Sequence, residues 1–200
     1  MLSKIYTGAI LGIQAFIVCC ETDAGNGLPG IILIGNLSPE IKEAASRVRT
    51  ALKNSGFILP PKKIVINLSP AEMKKEGCSF DLPIAVGILS CFGFVKQETL
   101  ENSLFAGELS LSGTLLPIKG VLPLALSGKE NGFTRLFLPS ENQREGSVIQ
   151  GISCIGIRTL RELVETLNGS IPQASLPSSH PFPKKPQKED TKDMGDILGQ

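Results

Sequence analysis

Apolar and polar positions alternate in short runs along the first third of the chain, with glycines marking the turns. This period of two predicts strands over residues 4–9, 14–21 and 30–35. The last of these, GIILIG, has no polar position and reads as a strand buried on both faces. The period then lengthens. Ser38, Pro39 and Glu40 supply a cap, a proline suited to a first helical turn and an early acid, and Gly56 supplies the stop. Between them Ile41, Ala45, Val48 and Leu52 recur three or four residues apart, so a helix over residues 39–55 turns one stripe to a core.

KIVINL, residues 63–68, predicts a further strand, followed by the loop SPAEMKKEGCSF. From Asp81 onward the chain is apolar at nearly every position, through Leu82, Ile84, Val86, Ile88, Leu89 and Phe92. A helix without a polar face is covered on several sides and sits centrally. A strand over 103–106, a hairpin through LSLSGTLLP turning at Ser112 and Gly113, a helix over 120–131 and strands over 135–139 and 152–157 follow. Thr159 caps a last helix over 160–167. Residues 1–167 therefore read as one mixed α/β domain. Residues 168–193, rich in proline and ending in KKPQKEDTKD, read as a linker, and MGDILGQ at 194–200 is too short to fold alone. A further domain is expected to begin there.

Composition narrows the chemistry. With 42% hydrophobic and 20% charged residues and a net charge of +1, no global field draws the molecule to nucleic acid or lipid, so such binding needs a local patch. No apolar run reaches the roughly 18 residues of a membrane span, because Thr7, Gly8, Gly12 and Gln14 interrupt the first one. Lys4 alone makes a thin basic region for a signal peptide, and a cytoplasmic location is expected. The five scattered cysteines read as reduced core thiols, and one histidine, His180, leaves nothing from which to build a zinc site or a Ser-His-Asp triad. No GxxxxGK[ST] occurs, and the glycines at 25, 27 and 30 read as a turn between strands.

Basic residues do cluster. Lys42, Arg49 and Lys53 share one stripe of the first predicted helix, Lys62 and Lys63 precede a strand, and Lys74 and Lys75 lie in the loop before the buried helix. Lys74, Lys75, Arg49 and Lys53 are the candidate contacts to DNA phosphates, against the alternative of an ordinary solvated face. Aromatic residues make up 5% of the chain and none is interleaved with the lysines, so stacking on single-stranded bases is not indicated.

Two segments carry a family resemblance. GELSLSGTLLPIKGVLPLALSGKENGFTRLFLPSEN, from 107 to 142, resembles the proteolytic domain of Lon-type proteases, and EGCSFDLPIAVGIL, from 76 to 89, sits where Lon carries its serine at the head of a central helix. SRVRTALKNSGF, INLSPAEMKKEG, FDLPIAVGIL, FAGELSLSG and GDILGQ together resemble the N-terminal region of the ComM (YifB-like) family of magnesium-chelatase-like AAA+ ATPases. The resemblance implies an α/β fold like ribosomal protein S5 domain 2 and the Lon proteolytic domain, with mixed sheets and a central buried helix. It also implies a hexameric ring, an attached AAA+ module that holds ATP and magnesium outside this chain, and ATP-driven branch migration of recombining DNA. No cofactor is expected within these residues.

Ser79 is the one candidate nucleophile, and its hydroxyl needs a base to remove its proton. In the Lon family that base is a lysine at the start of the next helix. Laying PIKGVLPLAL on the Lon pattern puts Leu122 at that position, while Lys119 lies earlier, in the loop before Gly120. The apolar register also sets Phe80, not Ser79, at the Lon serine position. The expectation is that Asp81 or Ser79 acts as a helix cap and the scaffold is catalytically silent, with a Ser-Lys peptidase and a pure subunit-assembly domain as alternatives.

Overall fold

A computed structural model describes residues 2–169. Strands β1 (Leu2–Leu11) and β2 (Gln14–Gly25) form one long antiparallel hairpin whose turn places Gly12 at φ 62°. β3 (Gly30–Ile34), β4 (Lys63–Ser69), β5 (Ser103–Phe105), β8 (Arg135–Pro139) and β9 (Ser153–Ile157) extend it to seven strands in the order β3-β4-β2-β1-β5-β8-β9. β1 with β2 and β2 with β4 are antiparallel and the other pairings parallel, so the sheet is mixed. A separate small hairpin joins β6 (Glu108–Leu109) to β7 (Leu115–Leu116), turning near Ser112 and Gly113.

Helices cover both faces. α1 (Pro39–Asn54), α2 (Asp81–Cys91) and α5 (Leu160–Leu167) share a core with Phe105 and Phe137, while α3 (Val121–Glu130) packs over Leu104, Leu136 and Leu138, beside the short turn α4 (Gln143–Gly146). The strand alternation explains the split: neighbours along β5 and β8 point to opposite faces. All eleven residues of α2 are buried, as its uniformly apolar sequence requires. Two glycines allow the helices to lie close to the hairpin. A Cβ on Gly87 of α2 would overlap Thr22 Oγ1 of β2, and a Cβ on Gly8 of β1 would overlap Leu124 Cδ1 of α3.

The structure departs from three of the sequence expectations. GIILIG is not buried on both faces: β3 is the last strand of the sheet, and Ile32 and Ile34 are 45% and 48% exposed. An unbroken apolar run marks a strand but does not say how many of its faces are covered. Ser38 occupies the N-cap position of α1 with extended backbone, yet its side chain makes no capping bond. Asp81 does not cap α2 either; that position belongs to Phe80, without a side-chain bond. The Thr159 cap is present, its oxygen accepting the Glu162 N–H at 3.2 Å. The expected linker, from residue 170 onward, and the GDILGQ tail lie outside the described residues.

Candidate functional site

The head of α2 is held by backbone. The Ser79 carbonyl accepts the Gly107 N–H and the Gly107 carbonyl accepts the Leu82 N–H, both at 3.0 Å. Ser79 is half-buried, and among the described residues no lysine amine hydrogen-bonds to its hydroxyl. Leu122 lies in the first turn of α3, on the other face of the sheet from α2, and Lys119 is exposed in the loop before Gly120. A hydroxyl without a proton acceptor has no route to become a nucleophile.

Asp81 has a different task from the one its position suggests. Its carboxylate is fully buried and takes a two-pronged ion pair from Arg47 of α1, Nε to Oδ2 and Nη2 to Oδ1, each at 3.0 Å. It also accepts the Leu109 N–H at 3.2 Å, so one side chain ties α1, α2 and β6 together. Burial pushes the Asp81 carboxyl up, opposed by the Arg47 guanidinium and the Leu109 amide, and the pairing raises Arg47 in turn. Arg47 carries no signal as a lone basic residue in the helix pattern. Its one sequence cue is its place between Ala44 and Ala51, both buried, on the flank of the apolar stripe.

The four candidate phosphate contacts separate in space. Lys75 is not a surface contact to phosphate: its side chain is fully buried and its amine donates to the Pro70 carbonyl. The loop is zipped to the chain entering α1, Lys75 N–H to the Asn36 carbonyl at 2.9 Å and Ser38 N–H to the Lys75 carbonyl at 3.0 Å, and the side chain is drawn inward with it. Burial lowers its pKa from the ordinary 10.5. The unfolded chain therefore holds this proton more tightly, and stability rises with pH across the window that ends near 10.5. The buried thiols titrate with the opposite sign, so the comparison with the parent isolates Lys75: the stability of Lys75→Met relative to the parent is expected to fall between about pH 7 and about pH 10 in urea denaturation, and a difference that does not change with pH would remove Lys75 as the source.

Lys74 stays on the surface but is paired with Glu76, which raises its pKa. It lines a shallow cleft of about 380 Å³ at the start of α1 with Glu40 and Glu76, so that the two carboxylates outnumber the amine. Glu76 lies two residues along the same loop, and folding adds Glu40 from the first turn of α1. Such a cleft does not attract phosphate.

Arg49 and Lys53 are brought to a second cleft, of about 460 Å³, between α1, the loop entering β4 and the first residues of β3. Lys62 joins them there, its amine donating to Asn26 Oδ1 at 2.8 Å. Ile31, Phe57, Leu59 and Ile64 give the cleft an apolar lining, and no carboxylate is part of it. Phe57 is fixed by an edge-to-face contact with Phe94, ring centroids 5.3 Å apart. The apolar component was invisible in the helix stripe, because it comes from two other segments of the chain.

No disulfide joins the five cysteines, and burial pushes Cys20 up to about 12 and Cys91 and Cys154 to about 11, far from thiolate formation at neutral pH. Among the described residues no three His, Cys, Asp or Glu side chains gather into a metal site, and no helix is long and apolar enough to cross a membrane.

Comparison with known proteins places this architecture. A family model described as subunit ChlI of Mg-chelatase matches residues 20–142. The competence protein ComM of Haemophilus influenzae is 36% identical over 203 aligned positions, which cover 100% of this chain and 39% of ComM. The uncharacterized protein YifB of Escherichia coli is 35% identical over 168 positions, covering 84% of this chain and 33% of YifB. Lon protease 2 of Bacillus subtilis is 27% identical over 182 positions, covering 86% of this chain and 32% of the protease. The chain thus spans less than half the length of the curated relatives it matches. With the family model matched over more than half of its length and ComM aligned across all of it, the chain belongs to the Mg-chelatase ChlI-like family and is a ComM/YifB-type domain.

Proposed function

We propose that this domain is the non-catalytic, S5-domain-2-like module of a ComM-type protein, in which an attached AAA+ ATPase drives DNA remodelling of the branch-migration type. Its work in that reading is to bind and assemble in a hexameric ring while the motor, carrying ATP and magnesium outside the described residues, does the chemistry. The observation that supports this most is Leu122, an aliphatic side chain at the helix start where the Lon scaffold needs its lysine base. The described residues offer no phosphate loop, which fits a nucleotide held elsewhere. DNA contact then rests on Arg49 and Lys53, since Lys75 is buried and Lys74 is paired with Glu76.

Both halves of the proposal are testable. A fluorophosphonate probe is expected to leave the chain unlabelled; labelling that vanishes in Ser79→Ala would restore the peptidase reading. Fluorescence anisotropy with forked DNA over a salt series is expected to show a log-log slope that flattens by about 0.9 for each phosphate that Arg49→Ala or Lys53→Ala leaves unneutralised. A double variant that keeps the parent affinity and slope removes these residues from the DNA surface. A second reading, an assembly domain without DNA contact, is favoured by one observation: the cleft beside these cations is lined with apolar side chains.

A further inference from the structure

The cleft between α1 and β3 has features that phosphate contact does not use. Its lining is apolar through Ile31, Phe57, Leu59 and Ile64, and Ile58 stands at 86% exposure beside them. A phosphate ligand would leave this surface wet. The cleft also abuts an open sheet edge: Gly30 and Ile31 form one wall, and β3 pairs only with β4 among the described residues. An outer strand edge carries backbone N–H and C=O groups that a nucleic acid backbone cannot match but another peptide can.

The edge itself is unusual in what it lacks. Natural edge strands are blunted by charges, prolines or bulges against unwanted pairing. β3 reads GIILI, without a charge, and keeps Ile32 and Ile34 half-exposed on the face opposite α1. Such a strand is a hazard when bare and an asset when something pairs with it. The charge of the cleft specifies that partner. Arg49, Lys53 and Lys62 stand in its lining with no carboxylate, and among the described residues none of them forms an ion pair.

We infer that this cleft docks an extended acidic–apolar peptide segment of a partner protein, which adds to the free edge of β3 as a further strand. Alternate side chains of a strand lie about 7 Å apart on one face. An apolar residue of the partner enters the cleft over Ile31 and Leu59, and an acid two residues away meets Arg49 and Lys53, which stand one helical turn apart on α1. The intervening side chains cover Ile32 and Ile34. The inference does not rest on the DNA-remodelling reading, and its test is performed without DNA.

The probe is a fluorescein-labelled heptapeptide, Gly-Glu-Val-Ile-Val-Asp-Gly, titrated into the full chain, with a control in which both acids are lysine. The acidic peptide is expected to bind at least about tenfold more tightly than the control, and to lose about tenfold in the Arg49→Ala/Lys53→Ala variant. Ile58→Asp, a change at an exposed position that leaves the fold intact, is expected to weaken it comparably by adding a carboxylate at the cleft. Amide exchange read by NMR is expected to slow along 31–34 on saturation, which a purely electrostatic contact would not produce. Equal binding of both peptides, or no new protection on β3, overturns the proposal. So does a cleft that ignores the peptide and instead binds an oligo-dT strand sensitive to Ile58→Asp, or that proves by sedimentation to be a contact between two copies of the chain.

Discussion

Arg47→Ala is expected to lower the unfolding free energy by about 3 kcal/mol, because it strands the fully buried Asp81 carboxylate between α1, α2 and β6. The loss is set by the charge left behind and not by the length of the removed side chain. Its pH dependence follows from the same point. Burial already pushes the Asp81 carboxyl up, and without the guanidinium nothing but the Leu109 amide opposes that push. A folded-state pKa above the unfolded one, whose ordinary value is 3.8, gives a contribution that is fully present below that value and lost as pH rises through the folded pKa. The deficit of the variant relative to the parent is therefore expected to grow from acid toward neutral pH, and urea denaturation at about pH 4, 5 and 7 measures it. Replacing both partners by apolar residues, Arg47→Met with Asp81→Leu, is expected to recover most of the loss. If the single variant is as stable as the parent at neutral pH, the pair is not a tie between these elements.

Phe105→Ala is expected to cost about 3–5 kcal/mol, in the range of large-to-small changes at fully buried aromatic positions. Phe105 has no exposed surface and stacks on Phe137, ring centroids 4.9 Å apart and planes 5° from parallel, across the register pair that joins β5 to β8. Removing one ring leaves a void in the core shared with α1, α2 and α5 that neither strand can close without shifting the sheet. Phe105→Leu, which keeps most of the volume, is expected to lose less than half as much. Thermal and urea unfolding of the two variants separate these outcomes, and equal losses would mean that the ring geometry contributes more than the cavity.

Much of the fold was legible as periodicity. The α2 helix begins at Asp81 as its sequence predicts, since a run with no polar position leaves a helix nowhere to sit but the interior. The turn of the small hairpin, the helix opened by Gly120 and the cap on Thr159 were readable for a related reason: each depends on residues within a few positions of one another. The strand over 30–35 was readable as a strand but not as an edge, because coverage of a face is decided by which elements arrive from elsewhere in the chain.

The candidate site divides along the same line. Sequence by itself determined that residue 122 is a leucine where the resemblance to Lon expects a lysine, since its identity needs no coordinates to read, and that no GxxxxGK[ST] occurs in these 200 residues. Tertiary structure alone decided where the charges act. It turned Lys75 inward, brought Glu40 to the cleft that Lys74 lines, gave Asp81 the guanidinium of Arg47 as its partner, and placed Arg49 and Lys53 beside an apolar cleft built from β3 and the loop before β4. Local spacing reports only on neighbours along the chain, whereas the energy of a charge is set by burial and by the nearest opposite charge. In this domain both are supplied chiefly by segments that meet only once the chain has folded.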